Sequence, residues 1–179
     1  MPKASRDGSL GTFGNVMRAT SAIVMIAMLA TAGCEKKQRF VQKPESMSPT
    51  IQPEEVVVAD MQAYNRAEPQ RWDAVVMKAP PPYEDLWIKR VVGLPGEVID
   101  FADGRVSVDG QPIVPPPHLS KVEYQAPMGV RGTPRPLIYP YKIPAGSYFI
   151  LGDNPPKSND SRFWGALPKT NIIGRVKDK

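Results

Sequence analysis

The chain has 179 residues, 41% hydrophobic and 23% charged, with a net charge of +5. That is one globular domain plus a terminal extension, not a disordered chain. Basic residues are scattered rather than gathered into a stripe with interleaved aromatics. This excludes nucleic acid as the expected partner and favours an anionic membrane surface. One cysteine and one histidine exclude an internal disulfide and a Cys/His zinc site, and nothing else in the sequence calls for a metal or cofactor.

At the N-terminus, Lys3, Arg6 and Arg18 precede an uncharged run from Ala19 to Gly33 that leads into Cys34. As a helix this run reaches roughly 22 Å, short of the roughly 30 Å hydrocarbon core. A basic start, a short apolar run and small residues before a boundary read as a signal peptide. The Ala32-Gly33-Cys34 ending resembles a lipobox, where cleavage precedes a cysteine that is then lipidated, although Thr31 stands where such motifs usually carry Leu. The rival reading is an uncleaved single span from about Phe13, with Arg18 snorkelling toward the headgroups. Either way, residues 1–34 are a targeting or anchoring segment. The rest of the chain is expected at the cytoplasmic membrane, on its extracytoplasmic side. Residues 35–43, with Lys36, Lys37, Arg39 and Lys43, read as a basic juxtamembrane spacer.

A rigid loop follows, Pro44-Glu45-Ser46-Met47-Ser48-Pro49-Thr50-Ile51. Each proline removes a backbone donor and biases the preceding residue toward extended geometry. Four hydroxyl- or carboxyl-bearing residues in so stiff a loop suggest a placed side chain. A plain Ser/Pro-rich turn is the alternative.

From Glu55 the pattern is β. Short apolar runs at 56–59, 72–78, 86–92, 97–101, 105–108 and 147–151 are bounded by Pro, Gly or polar residues. Asp103-Gly104 and Asp109-Gly110 are hairpin signals. Residues 111–145 contain nine prolines and show no periodicity, which predicts an irregular excursion. Residues 172–176 read as a closing edge strand. The expected fold is mainly β, in antiparallel sheets forming a sandwich or partly open barrel.

Two segments carry possible chemistry. In the 86–92 strand, period-2 alternation puts Trp87, Lys89 and Val91 on one face and Leu86, Ile88, Arg90 and Val92 on the other. Both faces are otherwise apolar, so at least one cation meets a buried surface. A charge-guarded edge strand or an Arg90 ion pair would explain this structurally. A lysine general base would explain it functionally: burial lowers a lysine pKa by up to several units, whereas arginine does not deprotonate. That argument selects Lys89. His118 follows Pro115-Pro116-Pro117, and nothing around it suggests a triad. The second segment, Gly152 to Gly165, is dense in polar residues and reads as a loop held by side-chain-to-backbone bonds. An Asp160–Arg162 pair is expected there, and Ser158 could bond and aim a neutral lysine amine.

Together, the Ser-Met-Ser-Pro-Thr loop, the Lys-Arg-Val-Val-Gly-Leu-Pro-Gly-Glu segment and the Gly-Asp-Asn…Ser-Asn-Asp-Ser-Arg-Phe-Trp-Gly loop resemble the motif boxes of type I signal peptidases. The boxes stand in the family's order, and the likeness covers about residues 40–176. It implies a peptidase domain over 44–179, with 111–145 as a shortened insertion. It implies Ser46 as nucleophile and Lys89 as general base. Ser158, Asp160, Arg162, Met47 and Pro49 would support them and the oxyanion site. It further implies membrane-bound preprotein substrates with small residues at −1 and −3, and a site close to the lipid bilayer. Three departures stand out. Pro44 occupies the position, two before the nucleophile, where many relatives carry a hydroxyl or glycine. Pro155 replaces the usual arginine after Gly-Asp-Asn, and the insertion is small. A catalytically silent, peptide-binding lipoprotein is therefore the competing function. A self-cleaving Ser/Lys repressor is set aside, because no helix-turn-helix precedes Ser46.

Overall fold

The computed structural model describes residues 36–42, 44–83, 85–127 and 137–177. The expected targeting segment 1–34, including Cys34, lies outside the described residues. Eleven strands are described: β1 (Lys37–Gln42), β2 (Glu55–Asp60), β3 (Ala74–Lys78), β4 (Leu86–Gly93), β5 (Val98–Ala102), β6 (Arg105–Val108), β7 (Gln111–Pro112), β8 (Tyr141–Lys142), β9 (Ser147–Leu151), β10 (Leu167–Pro168) and β11 (Ile172–Val176). One short helix, α1, covers Ser161–Trp164. Among the described residues no helix is long and apolar enough to cross a membrane.

The strands form a seven-stranded sheet, ordered β1-β2-β11-β3-β4-β9-β10, and a four-stranded sheet, ordered β7-β6-β5-β8. Their pairings are antiparallel, so the mainly β, antiparallel expectation holds. The hairpin signals are realised as both central residues at positive φ: Asp103 and Gly104 at 51° and 73°, Asp109 and Gly110 at 50° and 79°. That conformation suits the twist of two-residue hairpins.

Two expectations are corrected. The 35–43 stretch is not merely a spacer, because its residues 37–42 form β1, paired with β2 from Lys37↔Asp60 to Gln42↔Glu55. Phe40 packs on the core beside Met47, Val57 and Val76. Of the basic residues that suggested a spacer, Lys37 and Arg39 sit on this outermost strand, where charge discourages further pairing. β11, in turn, is not an edge strand. It lies between β2 and β3, and β1 takes the edge beyond them. At Gly174 a side chain would come within 2.8 Å of the Met61 sulfur and 3.1 Å of the Asp60 carbonyl, so the insertion between two strands requires glycine there.

Three apolar clusters hold the domain. Met47 and Ile51 pack on Val57, Ala74, Val76 and Ile88. Val75, Met77, Val91, Tyr148 and Ile150 fill the other side of the large sheet. Val92, Ile99, Val106, Tyr124, Phe149 and Leu151 join the smaller sheet to β4 and β9. The Pro-rich excursion participates in this packing. Leu119 and Tyr124 are buried, and the Tyr124 N–H donates to the Gly104 carbonyl at 2.8 Å.

Candidate active site

Three segments converge at the middle of β4. β9 pairs with β4 only over Arg90 to Gly93, whereas β3 pairs with it from Leu86 to Arg90. Among the described pairings, residues 86–89 therefore keep one side open. Against this stretch stand the 3-10 turn Glu45–Met47 and the loop after β9. Phe40, Val41, Pro44, Leu86, Trp87 and Ile88 wall a groove of about 590 Å³ that also reaches Ser46, Lys89, Asp85, Lys157 and Asn159.

Ser46 and Lys89 are brought together. Lys89 Nζ donates to Ser46 Oγ at 2.8 Å and to its neighbour Ile88's carbonyl at 3.2 Å. Both residues are almost fully buried, Ser46 at 2% and Lys89 at 3% exposure. Loss of hydration disfavours the ammonium and draws Lys89 down to about 8, against smaller upward pulls from Asp160 and Asp153. Nζ also lies 5.3 Å from the centre of the Trp87 ring.

The chain before and after Ser46 explains how its hydroxyl is held. Pro44 is extended, at φ −76° and ψ 152°, and supplies no side-chain cap. The Ser46 N–H lies in the first turn, where no intrahelical carbonyl faces it. Met47, the next residue, is completely buried beside Ile51, Val76 and Ile88. It works as an apolar anchor for the turn rather than as a polar participant. Pro49 is exposed and faces away from the groove, toward cavities shared with His118.

The Gly152-Asp153-Asn154 segment clamps this turn onto β4. The Asn154 N–H donates to the Ser46 carbonyl at 3.0 Å, and its side-chain amide donates to the Glu45 carbonyl at 3.1 Å. The Asp153 carboxylate accepts two bonds from Arg90, from Nε at 2.8 Å and from Nη2 at 2.7 Å. Both of these side chains are wholly buried. The Thr50 hydroxyl lies between the same carboxylate and the Met47 carbonyl. Gly152 permits the approach: a Cβ there would stand 2.2 Å from Ser158 Oγ and 2.5 Å from the Ser46 carbonyl oxygen.

Asp160 and Arg162 form the second buried pair. Asp160 accepts from Arg162 Nε at 2.8 Å and Nη2 at 2.9 Å. It caps α1 through the Arg162 N–H at 3.2 Å and takes the Gly152 N–H at 3.1 Å. Arg162 in turn donates to the Pro155 carbonyl at 2.8 Å. Ser158 is buried beside Gly152, but its hydroxyl makes no hydrogen bond among the described residues. The expected Ser158–Lys89 contact is thus not formed here.

Sequence reasoning named Ser46, Lys89, Asp160 and Arg162 and passed over Thr50, Gly152, Asp153 and Asn154 as participants. Their signal was present: a Gly-Asp-Asn at the end of a buried strand, and a hydroxyl four residues after Ser46. What was lacking was the long-range pairing that joins them to Arg90.

The chain is similar to known proteins. A family model described as signal peptidase, peptidase S26, matches residues 14–178. A signal peptidase I of Leptolyngbya laminosa is 37% identical over 139 residues, 74% of this chain and 63% of that protein. A probable signal peptidase I of Synechocystis is 34% identical over 149 residues, 76% of this chain and 70% of that one. The chain thus spans just under two thirds of the first relative's length. The crystal structure of a signal peptidase I from Enterococcus faecalis superimposes with a TM-score of 0.50 at 26% identity, covering 62% of this chain and 98% of that one. The chain belongs to the signal peptidase family, peptidase S26.

Proposed function

We propose that the chain is a membrane-bound serine endopeptidase that removes signal peptides from exported preproteins, with Ser46 as nucleophile and Lys89 as general base. The observation that carries this reading is the 2.8 Å contact between Lys89 Nζ and Ser46 Oγ, both buried and both lining the groove. A free lysine is neutral at pH 7 in about one molecule in 2,500, whereas one that titrates near 8 is neutral in about one in ten. That gain in free base is what activation of a serine requires.

In the proposed cycle, Ser46 Oγ attacks the scissile carbonyl carbon while its proton passes to neutral Nζ. The Ser46 N–H donates to the oxyanion that forms. Collapse breaks the peptide C–N bond, and the Lys89 ammonium returns the proton to the leaving amine of the mature chain. The signal peptide is left as an ester on Ser46. Water then attacks the ester carbonyl, Lys89 takes its proton, and the serine leaves reprotonated by Lys89. The open side of β4 at 86–89 suits an extended substrate added as a further strand, with side chains at −1 and −3 entering the groove. Asp153, Asp160, Arg90 and Arg162 act by holding the reacting pair in place. Residues 1–34 would target or anchor the chain, with Cys34 as the lipidation candidate. The peptidase domain would then stand outside the cytoplasm against the bilayer. The second reading, a silent peptide-binding module, draws its support from Pro44, which offers no side-chain donor beside the nucleophile.

The test is hydrolysis of a membrane-embedded preprotein bearing an Ala-x-Ala site by wild type and Ser46→Ala. Wild-type kcat/KM should rise through about pH 8, and Ser46→Ala should be inactive. Equal cleavage by both proteins would reject Ser46. Specific binding of the preprotein without cleavage would select the silent module.

A further inference from the structure

Backbone amides alone are a thin oxyanion site, and the structure shows what the side chain two residues before Ser46 can contribute. Pro44 has neither an N–H nor a polar side chain, and it is held extended at the head of the turn. Any second donor must come from elsewhere on the groove wall. Asn154 is near in sequence to the clamp, but its amide is given to the Glu45 carbonyl and it lines the cavity on the far side of the loop. Asn159 lies in the groove, with its amide given to the Tyr83 hydroxyl at 3.1 Å. Lys157 remains. It lines the same groove as Ser46 and Lys89, at the end of the short turn Pro155–Lys157. Its backbone N–H is fixed to the Asn154 carbonyl at 3.0 Å. Its side chain is exposed, and its ammonium has no ion pair or hydrogen bond among the described residues, including to Asp85, the one carboxylate on the groove wall.

Resting on the Ser46/Lys89 reading, we infer that Lys157 is a further catalytic residue, whose ammonium stabilises the oxyanion in place of the donor that Pro44 cannot supply. An unpaired cation on a flexible stem costs little in the empty, hydrated groove. Once a substrate strand fills the groove and expels water, the same charge acts at lower dielectric, and the negative charge of the oxyanion develops only as the tetrahedral intermediate forms. Its contribution therefore belongs to kcat, not to ground-state binding. The two lysines divide the work: buried Lys89 moves the proton, and exposed Lys157 acts on the oxyanion.

The experiment compares the full chain with Lys157→Met and Lys157→Arg, using the preprotein substrate and a peptide boronic acid that forms an anionic tetrahedral adduct on serine. Removing one oxyanion donor lowers turnover by about a hundredfold or more, and an exposed lysine should give a smaller loss than that. Lys157→Met should lose kcat by at least about tenfold with KM unchanged, bind the boronic acid correspondingly more weakly, and be largely rescued by Lys157→Arg, which keeps the charge. Unchanged kcat in Lys157→Met would overturn the inference while leaving the Ser46/Lys89 reading intact. So would a loss confined to KM, which would assign Lys157 to substrate recognition. A wild-type chain that cleaves no better than Ser46→Ala would overturn both.

Discussion

The sharpest consequence of the buried base is a stability effect that grows as pH falls. Lys89 titrates ordinarily at 10.5 when unfolded and near 8 when folded. Between those values the unfolded chain holds more protons than the folded one, so folding stability rises with pH across the window from about 8 to 10.5. Below pH 8 the full penalty for burying the ammonium is present, on the order of 3 kcal/mol at about 1.4 kcal/mol per pH unit. Lys89→Met keeps the length and apolar volume and removes the charge. It also removes the Nζ bonds to Ser46 and the Ile88 carbonyl, a loss of about 1 kcal/mol each that varies little with pH. The clean readout is therefore how the stability gap between Lys89→Met and wild type changes with pH. In urea titrations of the full chain in mild detergent, the variant's advantage should shrink by about 2 kcal/mol between pH 7 and pH 10, while activity is absent throughout. A gap that stays constant across that range would mean that Lys89 titrates normally in the folded protein, and the argument for a free amine at neutral pH would fall with it.

The same geometry sets three further outcomes. Gly152→Ala places a methyl 2.2 Å from Ser158 Oγ and 2.5 Å from the Ser46 carbonyl. Pushing the nucleophile turn aside should lower kcat by about a hundredfold; a variant with normal turnover would show that the turn tolerates displacement. Arg162→Gln removes the charge that balances Asp160, a carboxylate that already pulls Lys89 upward. The alkaline limb of the pH–rate profile should move to higher pH, and an acid shift would contradict that assignment. Cys34→Ser should release the chain from the detergent phase of a two-phase partition if Cys34 is lipidated. Retention would favour the uncleaved span.

What the sequence made legible follows from how local each signal is. Strands with apolar runs between strong turn residues, such as 105–108 between Asp103-Gly104 and Asp109-Gly110, are written into adjacent residues and were found. β1 was missed because Lys37, Gln38 and Arg39 resemble a solvated spacer until β2 supplies the partner that orders them. β11 was found as a strand and misplaced in the sheet, since nothing in Ile172–Val176 states that β1 will occupy the edge. The site divides in the same way. Lys89 stood out because a cation on an apolar strand is locally anomalous, and Ser46 because two prolines frame it. The role of Asp153 depends on Arg90, 63 residues earlier in the chain, and on Thr50, more than a hundred residues earlier. No spacing rule encodes such a pairing.

The charge placement around Lys89 explains how rigidity and a free amine coexist. Holding Ser46 against β4 takes buried polar anchors, and the anchors used are two carboxylates, Asp153 and Asp160. Unbalanced, either would stabilise the ammonium and undo the effect of burial on Lys89. Each is instead saturated by its own guanidinium, Asp153 by Arg90 and Asp160 by Arg162, with further bonds from Thr50 and the Gly152 N–H. Both carboxylates still pull Lys89 upward, but desolvation remains the larger influence on it. Arginine is needed in both places because only a permanently charged, two-pronged donor can cancel a buried carboxylate without itself titrating. Replacing either arginine by lysine would put a second deprotonatable amine beside the base. The scaffold would then hold the serine in place while losing control of the proton it must give up.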